Sequence, residues 1–232
     1  MRRFLSVILM VSGFWASAAL AGDRPVVVEL FTSQGCSKCP PADRFLTELS
    51  QREDVITLAL HVDYWDYIGW KDVFAQPKFT KRQKAYAQAM GEKMIYTPQM
   101  VINGRDEAIG SYRNEVRALI SEHAETDSGV DLTAAIVDGS VSIRAEVTQG
   151  RAKAMDVQLV QVSPKQEVSI LRGENAGQTY TYTSIVREWT TVGQWTGKQA
   201  LDMTVPVNSD LPVVVLLQER GNGPILAAVK LD

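Results

Sequence analysis

Cysteine and histidine are scarce in this 232-residue chain: Cys36, Cys39, His61 and His123 are all of them. Structural zinc needs four nitrogen or sulfur ligands at set spacings, and two histidines so far apart do not form the second half of such a site. A basic excess is also missing, with 24 Lys+Arg against 27 Asp+Glu. No basic patch is interleaved with aromatics, which argues against nucleic acid as a partner. Beyond the N-terminus no apolar run is long enough to cross a bilayer. There is no internal repeat, no low-complexity tract and no Met- or His-rich segment.

The N-terminus is different. Arg2 and Arg3 precede an apolar stretch from Phe4 to Trp15, and Ala19-Leu20-Ala21 offers a small-x-small cleavage signal. This pattern predicts a secretory signal peptide over residues 1–21 rather than an uncleaved anchor, and hence a periplasmic or secreted protein with no membrane span after cleavage. The remaining chain, with 22 basic and 27 acidic side chains, suffices for one large or two small domains.

Export changes how the cysteines read. In an oxidising compartment an isolated pair is usually structural, but closing a three-residue loop constrains the unfolded chain little. A redox pair is the better reading. Cys36 is expected near a helix N-terminus, where the partial positive charge favours thiolate, with Lys38 as a nearby cation. Cys39, one turn on, would resolve a mixed disulfide.

The periodicity predicts a buried strand over Asp23–Phe31, then a turn, then a helix opening at Pro40-Pro41 and running to about Arg52. Val55–Val62 reads as a second buried strand. An aromatic-rich segment, His61 to Asp72, sits at its carboxyl end, and a helix is expected over Phe79–Met90. Met100–Ile102 and Arg105–Ile109 form a hairpin about Asn103-Gly104, and a helix capped by Gly110-Ser111 runs to about Ala124. From Val130 onward eight short strands with turn residues between them predict a β-sandwich. The first half, with Cys-x-x-Cys after strand one and Thr97-Pro98 before strand three, has the thioredoxin arrangement. The expected fold class is therefore an α/β thioredoxin-like domain (22–127) followed by an all-β sandwich-like domain (128–232).

Several segments together resemble an exported thioredoxin-like family, domain of unknown function 1223. They are Val28–Cys36 with Cys39-Pro40-Pro41-Ala42-Asp43, His61–Asp66, Gly69–Asp72, Tyr96–Met100 and Arg172-Gly173-Glu174-Asn175-Ala176-Gly177. The resemblance implies a thioredoxin-like fold but no assigned reaction. It also implies that Pro98 is the cis-proline facing the cysteine pair, leaving the Thr97 backbone free for an extended substrate strand and keeping metal off the thiols. An ordinary trans-proline is the alternative. Gln34-Gly35 stands where ordinary thioredoxins carry Trp before the first cysteine, and the Asp63–Tyr96 segment is long. Both suggest a narrower substrate than a general reductase has.

His61 and Asp63 are candidate proton-transfer groups, set against a strand-end histidine that merely bonds locally. Tyr64, Trp65, Tyr67 and Trp70 read as a satellite core more readily than as a groove. Residues 172–177 read as an interstrand loop, or as a segment docking on the first domain. The expected function is a thiol–disulfide oxidoreductase acting on protein thiols or disulfides in the exported compartment. Cys36, Cys39, Thr97 and Pro98 form its site, and it needs no cofactor beyond the Cys36–Cys39 disulfide. The alternatives are a Cu(I)-binding module, Cu(I) being a soft ion suited to thiolates, or a partner-binding module without turnover.

Overall fold

A computed structural model describes residues 24–150, 153–207 and 210–232; the expected signal peptide over 1–21 lies outside them. Strand β1 (Val26–Thr32) is buried along its whole length, as its near-continuous apolar run, interrupted at Glu29, predicts for a central strand. It leads through a short turn into helix α1 (Pro40–Leu49), whose N-cap is Cys39 and whose first two positions are prolines. Strand β2 (Val55–His61) is equally buried and pairs in parallel with β1, Val26 opposite Val55 through Thr32 opposite His61. Helix α2 (Pro77–Met90) follows, then strands β3 (Gln99–Ile102) and β4 (Asp106–Ile109) and helix α3 (Arg113–Ala124). The hairpin between β3 and β4 turns on Asn103 and Gly104, both at positive φ, as the Asn-Gly pair predicts.

The second half contributes β5 (Val130–Val137), β6 (Ser140–Val147), β7 (Met155–Ser169), β8 (Thr179–Trp195), β9 (Leu201–Pro206), β10 (Val213–Glu219) and β11 (Ile225–Leu231). The expected fold class, a thioredoxin-like α/β domain followed by an all-β sandwich-like domain, is overturned here. Strand β8 lies beside β2, paired in parallel at Ala59 and Ile185. Both halves therefore share one mixed eight-stranded sheet in the order β11-β10-β7-β8-β2-β1-β3-β4, and only β5, β6 and β9 form a second, three-stranded sheet. The molecule is mostly β.

Length is the physical reason. Strands β7 and β8 span 15 and 17 residues, each long enough to serve two neighbours at different points. Sequence reading splits β7 at Ser163-Pro164-Lys165. Val162 takes the last amide bond toward the neighbouring segment, donating to Pro212 O at 2.9 Å, so Pro164 falls beyond the start of β10, where its missing donor costs no ladder bond. Bulges between Val157 and Gln158 and between Gln161 and Val162 absorb the register change, as bulges do where a strand must bend.

Alternation sorts the core. Val27, Phe31, Leu58, Leu60, Val101, Val160 and Leu216 face α2, with Phe79 and Tyr86 of that helix packed on them. On the opposite face Val26, Val28, Leu30 and Ala59 meet Phe45, Leu46, Val116 and Ile120 of α1 and α3. The three-stranded sheet covers the far part of the large sheet through Val141, Ile143, Val157, Val215 and Leu217.

Candidate functional site

The site lies where β1 and β2 end. Thr32 and His61 are directly opposite in register, and both lie on the face that carries α1. The chain then turns through Ser33-Gln34-Gly35 to Cys36, whose amide donates to Ser33 O at 3.1 Å; the Cys39 amide donates to Cys36 O at 3.2 Å. Cys36 and Cys39 form a disulfide with their Cα atoms 5.4 Å apart. Its surroundings leave little access: Cys36 is 2% exposed and Cys39 0%.

Beneath it is a buried polar cluster. Asp43 stands one helical turn beyond Cys39, on the same face of α1, and accepts a 2.8 Å hydrogen bond from Thr32 Oγ1. Burial raises its carboxyl to about 7; His61 and the Thr32 hydroxyl oppose that shift, and nearby Asp72 adds to it. Loss of water around an anion is the physical cause. His61 Nδ1 donates to Asp72 Oδ2 at 2.7 Å. Asp72 also accepts from the amides of Gln34 and Phe74, each at 2.8 Å. Burial works to raise the Asp72 carboxyl, but His61 and these amides outweigh it and hold it below its usual value. The imidazole, wholly buried, sits edge-on to Phe74 and Tyr182. Among the described residues its Nε2 has no hydrogen-bond partner, and neither does Nε2 of buried Gln34.

The aromatic segment frames this cluster instead of forming a separate minor core. A Cβ on Gly35 would come within 3.3 Å of Trp65 Cβ and 3.4 Å of Ile68 Cδ1, so glycine lets the loop close over the turn. Trp65 Nε1 donates to Thr97 Oγ1 at 2.7 Å, and Trp70 Nε1 to Gln34 Oε1 at 2.9 Å. Trp65 thus links Thr97 to the turn before Cys36. The Thr97–Pro98 peptide is cis, and Pro98 O accepts from the Gly110 amide at 2.9 Å.

Of the residues singled out in the sequence, Cys36, Cys39 and His61 meet in this corner, and Thr97 and Pro98 border it through Trp65. Asp63 turns elsewhere: its carboxylate accepts from Thr80 Oγ1 of α2 at 2.5 Å. Lys38 is exposed, with no acidic partner among the described residues. Sequence reasoning missed Asp43, Asp72, Gln34 and Asn175. Asn175, between β7 and β8, donates from Nδ2 to Gln34 O at 2.8 Å and Cys36 O at 3.1 Å. The signal available was their presence in the quoted motifs, which carries no chemical role by itself. Among the described residues no three His, Cys, Asp or Glu side chains are arranged to hold a metal ion, and no helix is long and apolar enough to cross a membrane.

The sequence profile of the family described as "Protein of unknown function (DUF1223)" matches residues 27–218. A crystal structure of a protein from Agrobacterium tumefaciens is similar at 30% identity, covering 90% of this chain and 95% of that one with a TM-score of 0.79. HBP35 of Porphyromonas gingivalis is similar in fold, at 13% identity, 90% and 75% coverage and a TM-score of 0.66. No curated protein matches the chain.

Proposed function

The chain belongs to the DUF1223 family, whose description assigns no reaction, and we propose that it is a thiol–disulfide oxidoreductase acting on protein thiols of an exported compartment through Cys36 and Cys39. One observation carries this reading. The disulfide is built over a carboxyl held at about 7 and a buried imidazole whose Nε2 makes no hydrogen bond among the described residues. An inert cross-link has no use for a titratable group at the pH where thiols exchange.

In the direction that oxidises a partner, a partner thiolate attacks Cys36 Sγ. A partner–Cys36 bond forms, the Cys36–Cys39 bond breaks, and the electron pair leaves on Cys39 sulfur. Asp43, one turn along α1, supplies the proton that turns this thiolate into a thiol. The Asp72-anchored ring of His61 sets the charge around that carboxyl. A second partner thiolate then attacks the partner's own sulfur and releases Cys36, so the partner loses two electrons as a disulfide and the protein gains them as a dithiol. Lys38, at the solvent edge, contributes only a screened positive potential. Thr97 and Pro98 are proposed to border the substrate.

The test is turnover of a peptide disulfide by the mature protein, together with its reduction potential. Cys36→Ser abolishes turnover. A potential below roughly −300 mV with no turnover marks an inert cross-link and ends the reading. Asp43→Asn removes the inflection near neutral pH from the rate profile while leaving the disulfide able to form; an unchanged profile removes Asp43 from the mechanism.

A further inference from the structure

Exchange at sulfur needs an attacking thiolate in line with the S–S bond, so access limits the rate as much as thiol acidity does. Neither sulfur has that access here, with Cys36 2% and Cys39 0% exposed. Part of the cover comes from more than 130 residues away in sequence, in the connection between β7 and β8. The carboxamide of Asn175, itself 7% exposed, spans Gln34 O and Cys36 O, the carbonyls on either side of Gly35. The connection folds back on itself, with the Gly177 amide on Ile170 O and the Ile170 amide on Gln178 O, both at 2.8 Å. Gly173, at φ 79°, rests on the aromatic loop, where a Cβ would come within 3.2 Å of Trp70 Cβ. The residues around the latch, Leu171, Arg172, Glu174, Ala176 and Gly177, are exposed.

We propose that residues 170–178 form a strap latched by Asn175, which leaves the disulfide before a thiol reaches Cys36, and that an extended polypeptide replaces it. This rests on the oxidoreductase reading for its purpose, not for its geometry. When Asn175 withdraws, Gln34 O loses its donor and Cys36 O keeps only the Cys39 amide, so both carbonyls beside Cys36 can accept a new one. The group that satisfies them best is a run of backbone N–H donors, as an extended cysteine-containing chain presents. A small thiol brings no such donors. Asn175 is thus a specificity-determining residue that stands where substrate backbone would bind.

The experiment follows reduction of the protein's own disulfide in stopped flow, without any turnover assay. With dithiothreitol the wild-type rate rises and then levels off at the rate of strap opening. Asn175→Ala, which removes both latch hydrogen bonds, raises that plateau by on the order of tenfold; Leu171→Ser, at the exposed tip, leaves it unchanged. A rate that stays proportional to dithiothreitol and is the same in Asn175→Ala overturns the strap. Native-state hydrogen exchange makes the same test without mutation: the Gly177 amide exchanges faster than that of Val28, whereas equal protection ties opening to global unfolding and also overturns it. For the occupant, a cysteine peptide is compared with the same peptide N-methylated on either side of its cysteine. The methylated form is slower by on the order of tenfold through loss of two hydrogen bonds, and equal rates remove the backbone-docking half of the proposal. Saturating reduction without protein turnover keeps the strap and rejects the oxidoreductase; turnover with unsaturating reduction does the reverse.

Discussion

Strands β1 and β2 carry two buried polar clusters on opposite faces, and the two are finished differently. On the α2 face Glu29 of β1 accepts from Arg82 Nε at 2.7 Å, from Arg82 Nη2 at 3.2 Å and from Tyr86 Oη at 2.5 Å. Gln218 accepts from Arg82 Nη2 and donates to Tyr86 Oη and Gly223 O, and the guanidinium stacks 3.8 Å over the Trp189 ring. Burial works against the Arg82 charge, but Glu29 overcomes it and its pKa rises. On the α1 face Asp43, Thr32, His61, Asp72 and Gln34 are also enclosed. Among the described residues each face leaves two buried polar atoms without a hydrogen bond, Trp189 Nε1 and Gln158 Oε1 on the first and His61 Nε2 and Gln34 Nε2 on the second, but of the two only the α1 face holds a carboxyl at about 7. A charge neutralised by its ion pair fixes a fold. A protonated carboxyl beside a disulfide keeps a proton at hand, at a cost in stability that the proposed chemistry would explain.

The largest expected effect breaks the ion-paired side. Glu29→Gln leaves Arg82 buried without a counter-charge, which costs roughly 3–5 kcal/mol. Urea unfolding reads this as a lower midpoint. The dithiothreitol reduction rate of the Cys36–Cys39 disulfide, measured below the unfolding transition, stays within about twofold. A large change in that rate would mean the faces are coupled, and the contrast would fail.

The side with the raised carboxyl responds to pH instead. Because the folded pKa of Asp43 is raised from 3.8 to about 7, the folded state holds a proton through that window that the unfolded chain has released. Stability therefore falls as pH rises from about 4 to 7, and the full cost is present above 7. The shift corresponds to about 4 kcal/mol. Asp43→Asn abolishes this slope, so its stability relative to wild type improves by up to that amount between pH 4 and pH 8. Denaturation at both pH values on the oxidised proteins checks it; parallel pH curves would show that Asp43 titrates normally.

Much of the α1 face could be read in the sequence, and the missing parts have identifiable causes. Elements with local signatures were legible: the apolar runs of β1 and β2, the prolines opening α1, and the Asn103-Gly104 turn, whose two residues both adopt positive φ. Cys36, Cys39 and His61 stood out because few side chains share their chemistry. Asp43 and Asp72 did not, since a carboxylate becomes unusual only through burial, and burial comes from packing. Asn175 sits 139 residues from Cys36, across a β7–β8 pair in which Pro164 makes β7 look broken. The placement of β8 beside β2, which overturns the expected fold class, has no local signature at all: one bridge, Ala59 with Ile185, joins the halves.

The smallest effect tests whether the aromatic loop belongs to the reactive face or only covers it. Trp65→Phe keeps the Cβ that packs at Gly35 but removes the indole N–H that holds Thr97 Oγ1. One hydrogen bond is worth about 1 kcal/mol of stability, and the phenyl ring fills most of the same space. If the loop is only a cover, that loss is the whole effect and KM for a peptide disulfide is unchanged. If Trp65 positions the Thr97 wall for substrate, KM rises by several-fold while kcat holds, because binding is lost and the chemistry at sulfur is not. A fall in kcat at constant KM would instead give Trp65 the role proposed for Asp43, that of a group acting on the reacting atoms.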